Sequence, residues 1–513
     1  MISLLLPFLT YLILMVLIGL FFFKRSHNLS DYYLGGRRLN SWVSSLSAQA
    51  SDMSGWLLMG LPGYAYIHGM EAGWIAGGLL LGTYLNWKFV AQRLRLMTFD
   101  AGDSITLPEY FSNRFVNSPI MLRVVSAFFI LFFFLIYTAS GFVAGAKLFS
   151  TVFSLPYLTG LIIGAAVIIS YTFLGGFWAV SWTDVIQGMM MFLALLIVPI
   201  WTCLSLGGFA ATVSELYKMN PELLTITRSI DGRPLSWMMI FSLTGWGLGY
   251  FGQPHILARF MAIRSGEAIP FARHIAMVWV TLSLMGALLI GLIANVYLPE
   301  PLASADAETV FMVMVRSLST PFIAGCLLSA ILAAIMSTAD SQLLVASSAL
   351  TEDFYHAFLR RSASQRELIW VSRSTVLGIA MLAFVLALNP RSGVFDLVSY
   401  AWAGFGAAFG PLVLFSLYWR GMTAAGAMSG IIVGGTTVLI WKQLSGGIFE
   451  LYEIVPGFIF SSLSIYVVSQ CAKCGPLASA IDQVKASLQR LSRSSAKPWR
   501  SANSNNTDHS QEK

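Results

Sequence analysis

Asp52 is the only charged residue in an otherwise apolar stretch running from Ser41 to Tyr66, and Ser51, Ser54 and Gly55 stand beside it. A carboxylate carried to the middle of a bilayer costs about 2.5–3.5 kcal/mol on insertion scales, so such a residue reads as functional. Its small, polar neighbours suit a helix that breaks there, and broken backbone inside a membrane is tolerated only around a cavity or a ligand. A second group is Ala334, Ser337 and Thr338, spaced i, i+3, i+4 on one helix face. Hydroxyls and backbone carbonyls are the oxygens a hard cation takes. The alternative is that the hydroxyls bond back to their own helix or join neighbouring helices. A third group is Trp246, Tyr250 and Pro254, spaced i, i+4, i+8 within a run that also holds Gly245, Gly247, Gly249 and Gly252. An aromatic face with one phenol suits a compact, partly apolar solute, the alternative being ordinary aromatic packing. Proline within a helix frees a carbonyl and kinks the chain. Tyr137, in Ile136–Gly141, offers a second phenol of the same kind.

The elements that carry these residues follow from composition. Of 513 residues, 57% are hydrophobic and 11% charged, against about 25% charged in soluble proteins. The chain reads as an all-α, polytopic membrane protein. Thirteen stretches are long and apolar enough to be spans: 4–23, 41–66, 71–92, 124–151, 156–174, 185–207, 236–257, 275–298, 320–350, 374–389, 394–418, 421–441 and 452–470. The first has no basic residue ahead of it and no small-residue cleavage site after it, so it reads as a retained span rather than a signal peptide. With the N-terminus outside, 24 of the 31 Lys and Arg fall on the inner side, which predicts an N-out, C-in topology. The net charge of +7 is therefore an orientation signal and not a nucleic-acid footprint.

Both interruptions, at Asp52–Gly55 and at Gly245–Pro254, fall in the second and seventh spans. These are five apart, an odd number, so the second copy enters the membrane from the opposite side. The pattern predicts a 5+5 inverted repeat over about 41–207 and 236–418, inside a transmembrane domain of 1–471. A polar tail, 472–513, follows. Its residues 477–493 read as a basic amphipathic helix on the inner leaflet, and its last residues as disordered. Asp184, at the end of the loop Gly175–Asp184, reads as the cap of the helix that follows, or as a group on the ion's path. Arg37 reads as a topology anchor. Cys203 and Cys326 read as small core residues and Cys471–Cys474 as the end of the last span rather than a zinc or redox site. No nucleotide loop, metal cluster or nucleophile–base pattern is present, and no catalytic residue is expected.

The strings Ala50–Gly63, Gly175–Asp184, Gly245–Phe260, Ser329–Thr338, Thr351-Glu352-Asp353 and Val398–Pro411 resemble the sodium/solute symporter family, nearest its proline-carrying bacterial branch. The resemblance covers roughly residues 5–470. It implies a leucine-transporter-like fold with one helix before the ten-helix core and two after it, in the bacterial inner membrane. It implies a sodium site built from the carbonyls of Ala50, Met53 and Ala334 and the hydroxyls of Ser337 and Thr338. Asp52, with Asp184, would serve sodium coupling. Ser54, Trp56, Gly60, Tyr137, Trp246, Tyr250 and Pro254 would contact L-proline. Asp340 departs from the family pattern, which has an uncharged residue there, and is placed near the inner end of its helix. The expected partners are sodium, L-proline and the lipid bilayer, with no organic cofactor. The alternatives are the same machine for pantothenate, a sugar or a short carboxylate, and, from another class, a transporter-like membrane sensor.

Overall fold

The computed structural model describes residues 2–23, 29–115, 119–172, 176–389 and 393–473. These residues are helical, with two isolated bridges and no strand of a sheet among them. In chain order the main helices are α1 (Ile2–Phe23), α2 (Ser41–Asp52), α3 (Leu61–His68), α4 (Gly73–Leu85), α5 (Ile120–Phe153), α6 (Tyr157–Thr172), α7 (Phe177–Ser205), α8 (Trp237–Thr244), α9 (Pro254–Ala262), α10 (Ile269–Tyr297), α11 (Pro321–Ser348), α12 (Gln365–Leu386), α13 (Val394–Tyr418), α14 (Ala424–Trp441) and α15 (Ile454–Lys473). Nine helices among the described residues are long and apolar enough to cross a membrane. The other predicted spans are short or interrupted. Helix α2 stops at Asp52 and the chain resumes through a π turn, Trp56–Gly60, into α3. Helix α4 runs through a π turn, Asn86–Val90, into Ala91–Asp100. Between α8 and α9 lies the 3₁₀ segment Gly245–Gly252 and an extended Gln253.

Burial sorts the helices into centre and rim. In α11 and α13, 83% of the most apolar window is buried; in α1 it is 28% and in α12 33%. The rim helices turn large apolar side chains outward, among them Ile13, Leu17, Leu382 and Val385. In water that surface would cost about 25 cal/mol per Å²; against hydrocarbon it costs nothing. The centre is polar where the rim is not: α2 buries Ser44, Ser45, Ser47, Gln49, Ser51 and Asp52.

Several expectations change here. The loop Gly175–Asp184 is mostly helix, since α7 begins at Phe177, and Asp184 sits in the helix interior rather than at its cap. Within it, the polar Thr183 and Asp184 find partners inside the protein: Thr183 donates to the Ala179 carbonyl and Asp184 accepts from Ser47. Cys326 is exposed on the rim, not in the core, while Cys203 is buried. Asp340 is not near a helix end, because α11 continues through a π segment to Leu359. Arg37 is more than an anchor. It donates to Asp103 (2.7 Å), Thr98 (3.1 Å) and the carbonyls of Met261 (2.9 Å) and Ser104 (2.7 Å), which holds it at φ 55° after two left-handed glycines. Lys24, Arg25, Gly175, Arg391, Cys474 and the expected 477–493 helix lie outside the described residues.

Candidate functional site

The break in α2 is where the chemistry gathers. Met53 leaves helical geometry (φ −83°, ψ 75°), which turns its carbonyl out of the helix direction. Its N–H still closes the helix on Gln49 (2.9 Å), and the Ser54 N–H turns back to Asp52 (3.0 Å). The last carbonyls of α2 are thereby left without helical donors. One of them, Ala50, accepts from the Ser337 hydroxyl at 2.8 Å and the Thr338 hydroxyl at 3.5 Å. Ser337 also reaches the Ala334 carbonyl at 3.1 Å. Four of the five expected sodium ligands therefore converge between α2 and α11, all buried. Met53 stands at the same break with its side chain buried.

Asp52 is fully interior, and its Oδ2 accepts the Tyr250 hydroxyl at 2.6 Å. Its Oδ1 has no hydrogen-bond partner among the described residues. Its backbone carbonyl accepts from the Tyr137 hydroxyl at 3.4 Å. The two broken spans are thus joined carboxylate to phenol, with Tyr137 of α5 touching the same turn.

The expected solute residues divide. Trp56 and Trp246 bring their rings to 5.7 Å. Trp246 also packs on Phe395 (5.1 Å) and Tyr452 (5.5 Å). A Cβ at Gly60 would meet the Phe395 ring at 3.3 Å, so glycine leaves the closest approach open. Ser54 accepts a weak bond from the Trp56 N–H (3.4 Å). Gly60 and Phe395 also line a cavity of about 630 Å³, whose wall includes Tyr64, Lys147 and Glu308. Glu308 pairs with Lys147 at 2.7 Å and accepts the N–H groups of Val394 (3.1 Å) and Phe395 (2.8 Å).

The one-face reading of Trp246, Tyr250 and Pro254 fails. The segment between them is 3₁₀, with about three residues per turn, so i and i+4 no longer align. Trp246 faces the aromatic group and Tyr250 faces Asp52. Pro254 opens α9 and lines a separate, narrow cavity with Tyr33, Ile130, Ala258 and Leu344. Proline fits that first helical position because its missing N–H is not needed there.

Asp184, on α7, meets α2 at residues other than Asp52. Its Oδ2 accepts the hydroxyls of Ser47 (2.6 Å) and Ser51 (3.1 Å) and the Arg259 guanidinium (3.2 Å), with neither ion-pair member exposed. Arg259 also donates to Ser341 and to the His255 carbonyl (3.0 Å). By sequence alone Arg259 is one of the 24 inner-side Lys and Arg residues. An arginine five residues past a proline in an apolar run was the signal available for it. Phe395 and Tyr452 are likewise not marked by the sequence, since aromatic residues in apolar helices carry no sign of their position.

Residues 32–434 match the family profile described as Sodium:solute symporter family. Sodium/proline symporters of Salmonella typhimurium (strain LT2) and Escherichia coli (strain K12) are each 51% identical to this chain over 474 residues, which is 91% of it and 93% of their own length. The high-affinity proline transporter PutP of Bacillus subtilis (strain 168) is 50% identical over 456 residues, 89% of this chain and 95% of that one. Among solved structures, a substrate-bound, outward-open sodium-coupled sialic acid symporter superposes with a TM-score of 0.75 at 19% identity, across 91% of this chain and 98% of its own. That likeness gives the fold, which is leucine-transporter-like. A multi-pass helical protein with two broken central spans, matched along most of its length, belongs to the sodium:solute symporter family and is a transporter rather than an enzyme.

Proposed function

We propose that this protein is a bacterial sodium/proline symporter that takes up L-proline by alternating access. The observation that carries the reading is the junction at the α2 break. There the Ala50 carbonyl with Ser337 and Thr338, and Asp52 with Tyr250, stand within two residues of each other on one interrupted helix. Half the residues of the proline carriers named above are shared with this chain over nine-tenths of its length, which supports the substrate.

Thirteen spans run N-out and C-in, with the 5+5 inverted repeat over about 41–207 and 236–418 in a membrane domain of 1–471, and the 472–513 tail lies inside. Sodium takes the carbonyls of Ala50, Met53 and Ala334 and the hydroxyls of Ser337 and Thr338. Asp52 couples that site to the solute, and Asp184, held by Arg259, lies on the inner side of it. Proline rests against Ser54, Trp56, Gly60, Tyr137, Trp246 and Tyr250, while Pro254, which lines a separate cavity, drops out of the expected contacts. Sodium clamps the broken α2 against α11, which orders the solute cavity and raises its affinity. Each ligand strengthens the other by the same factor. The membrane potential adds about 2.3 kcal/mol per 100 mV for each charge moved inward.

Uptake of labelled L-proline into vesicles, with and without an inward sodium gradient, tests the reading. Uptake is expected to rise with the gradient and to fall when it is collapsed. Uptake indifferent to sodium overturns the coupling. Sodium-driven uptake of pantothenate, a sugar or a short carboxylate in place of proline overturns the substrate alone.

A further inference from the structure

The carbonyl of Tyr250 has a problem that the chain creates for it. In an α-helix it would accept from the N–H of residue 254, and residue 254 is proline. The next residues offer little else, because Gln253 is extended. A carbonyl left unpaired in the interior is costly. It is satisfied from outside the helix: Asn86 Nδ2 donates to the Tyr250 carbonyl at 3.0 Å, with Asn86 buried.

Asn86 arrives there by helical spacing. Gly78, Gly82 and Asn86 stand at i, i+4 and i+8 on α4 and its π turn, one face of the third predicted span. A Cβ at Gly78 would collide with the Thr244 carbonyl, and one at Gly82 with the Gly247 carbonyl. The two backbones therefore touch along this face, and Asn86 is the first residue on it with a side chain that can reach the Tyr250 carbonyl. Its Oδ1 has no hydrogen-bond partner among the described residues. A half-satisfied buried amide destabilises, and an apolar residue of the same size would pack there without that cost.

We infer that Asn86 is a positioning residue for sodium-coupled transport: its amide fixes the freed Tyr250 peptide, so that the Tyr250 hydroxyl meets Asp52. The inference rests on the proposed roles of Tyr250 and Asp52. Asn86 is not among the residues proposed to hold the ion or the solute.

The test is a double-mutant cycle in reconstituted proteoliposomes, reading the proline KM, the sodium concentration for half-maximal uptake, the maximal rate and the amount of protein in the membrane. Asn86→Leu keeps the volume and removes the donor. It is expected to raise both the KM and the sodium requirement roughly tenfold, the effect of one lost hydrogen bond of ordinary strength, with the maximal rate within about twofold of the parent. In a Tyr250→Phe background, the same substitution is expected to add less than about a twofold shift. Asn86→Ala is read in the same way if Asn86→Leu does not reach the membrane. A full, additive shift in the Tyr250→Phe background overturns the inference, as does a loss of maximal rate with KM and sodium requirement unmoved. If Tyr250→Phe changes both parameters and Asn86→Leu changes neither, only Asn86 falls. If Tyr250→Phe alone changes neither, the proposed site falls with it.

Discussion

Among the described residues, the Asp52 carboxylate is bonded through one oxygen only, to a phenol that cannot supply a full counter-charge. Burying a carboxylate without a full counter-charge is costly, which is the ground for its proposed part in sodium coupling. Asp52→Asn keeps the shape and a partner for Tyr250 but removes the charge. It is expected to reduce sodium-stimulated proline uptake by roughly tenfold to a hundredfold, the range for a bond to a charged group, with the protein still in the membrane. Uptake assays against a sodium series check this, and an unaltered series would remove Asp52 from the coupling. Thr338→Ala is expected to abolish sodium stimulation in the same assay, because one of the oxygens around Ala50 goes with it. Gly60→Val tests the aromatic wall separately. The added Cβ already meets Phe395 and Trp56, so the proline KM is expected to rise severalfold while the sodium requirement in saturating proline holds.

At the scale of elements, two kinds of joint hold the core. The broken spans are joined by polar contacts, and α2, α7, α9 and α11 are joined by the Asp184–Arg259 pair with its serines. Breaking one half of a buried ion pair costs about 3–5 kcal/mol, whereas removing both charges costs far less. Arg259→Gln alone is therefore expected to lower the amount of folded protein and its thermal midpoint, and Asp184→Asn in addition to restore much of both. Immunoblots of membranes and thermal unfolding in detergent read the two effects. Equal loss in the single and double variants would show that the pair does not bear the load assigned to it. The existence of both interruptions was legible in the sequence, from Asp52 among small polar residues and from four glycines ahead of Pro254. Their geometry was not. The 3₁₀ form of Gly245–Gly252 sends Trp246 and Tyr250 to different neighbours, and no i, i+4 rule survives that change of pitch.

At the scale of the whole molecule, transport is a linkage between two ligands and a potential. If one sodium moves inward per neutral solute, 100 mV is worth about 2.3 kcal/mol, or roughly a fiftyfold gain in accumulation. Proteoliposomes with an imposed potassium diffusion potential, negative inside, are expected to accumulate proline accordingly, and accumulation blind to the potential would mean that charge is compensated. Reciprocity adds a check: the factor by which sodium tightens proline binding equals the factor by which proline tightens sodium binding.

The sequence by itself determined that this chain is helical and membrane-embedded, where its two central helices break, and which family it joins. Hydropathy, glycine, proline and one misplaced carboxylate are local properties, readable without knowing what packs on what. Tertiary structure alone decided the partners. Asp184 reads as a helix cap until Arg259, 75 positions away, arrives to pair with it. Asn86 carries no mark in the sequence, and its partner appears only where the third and seventh spans close backbone to backbone. Asp52 reads as an isolated charge until Tyr250 meets it across 198 positions. Contacts at such separations depend on how helices cross, and crossing is set by packing over the whole bundle rather than by any stretch of the chain.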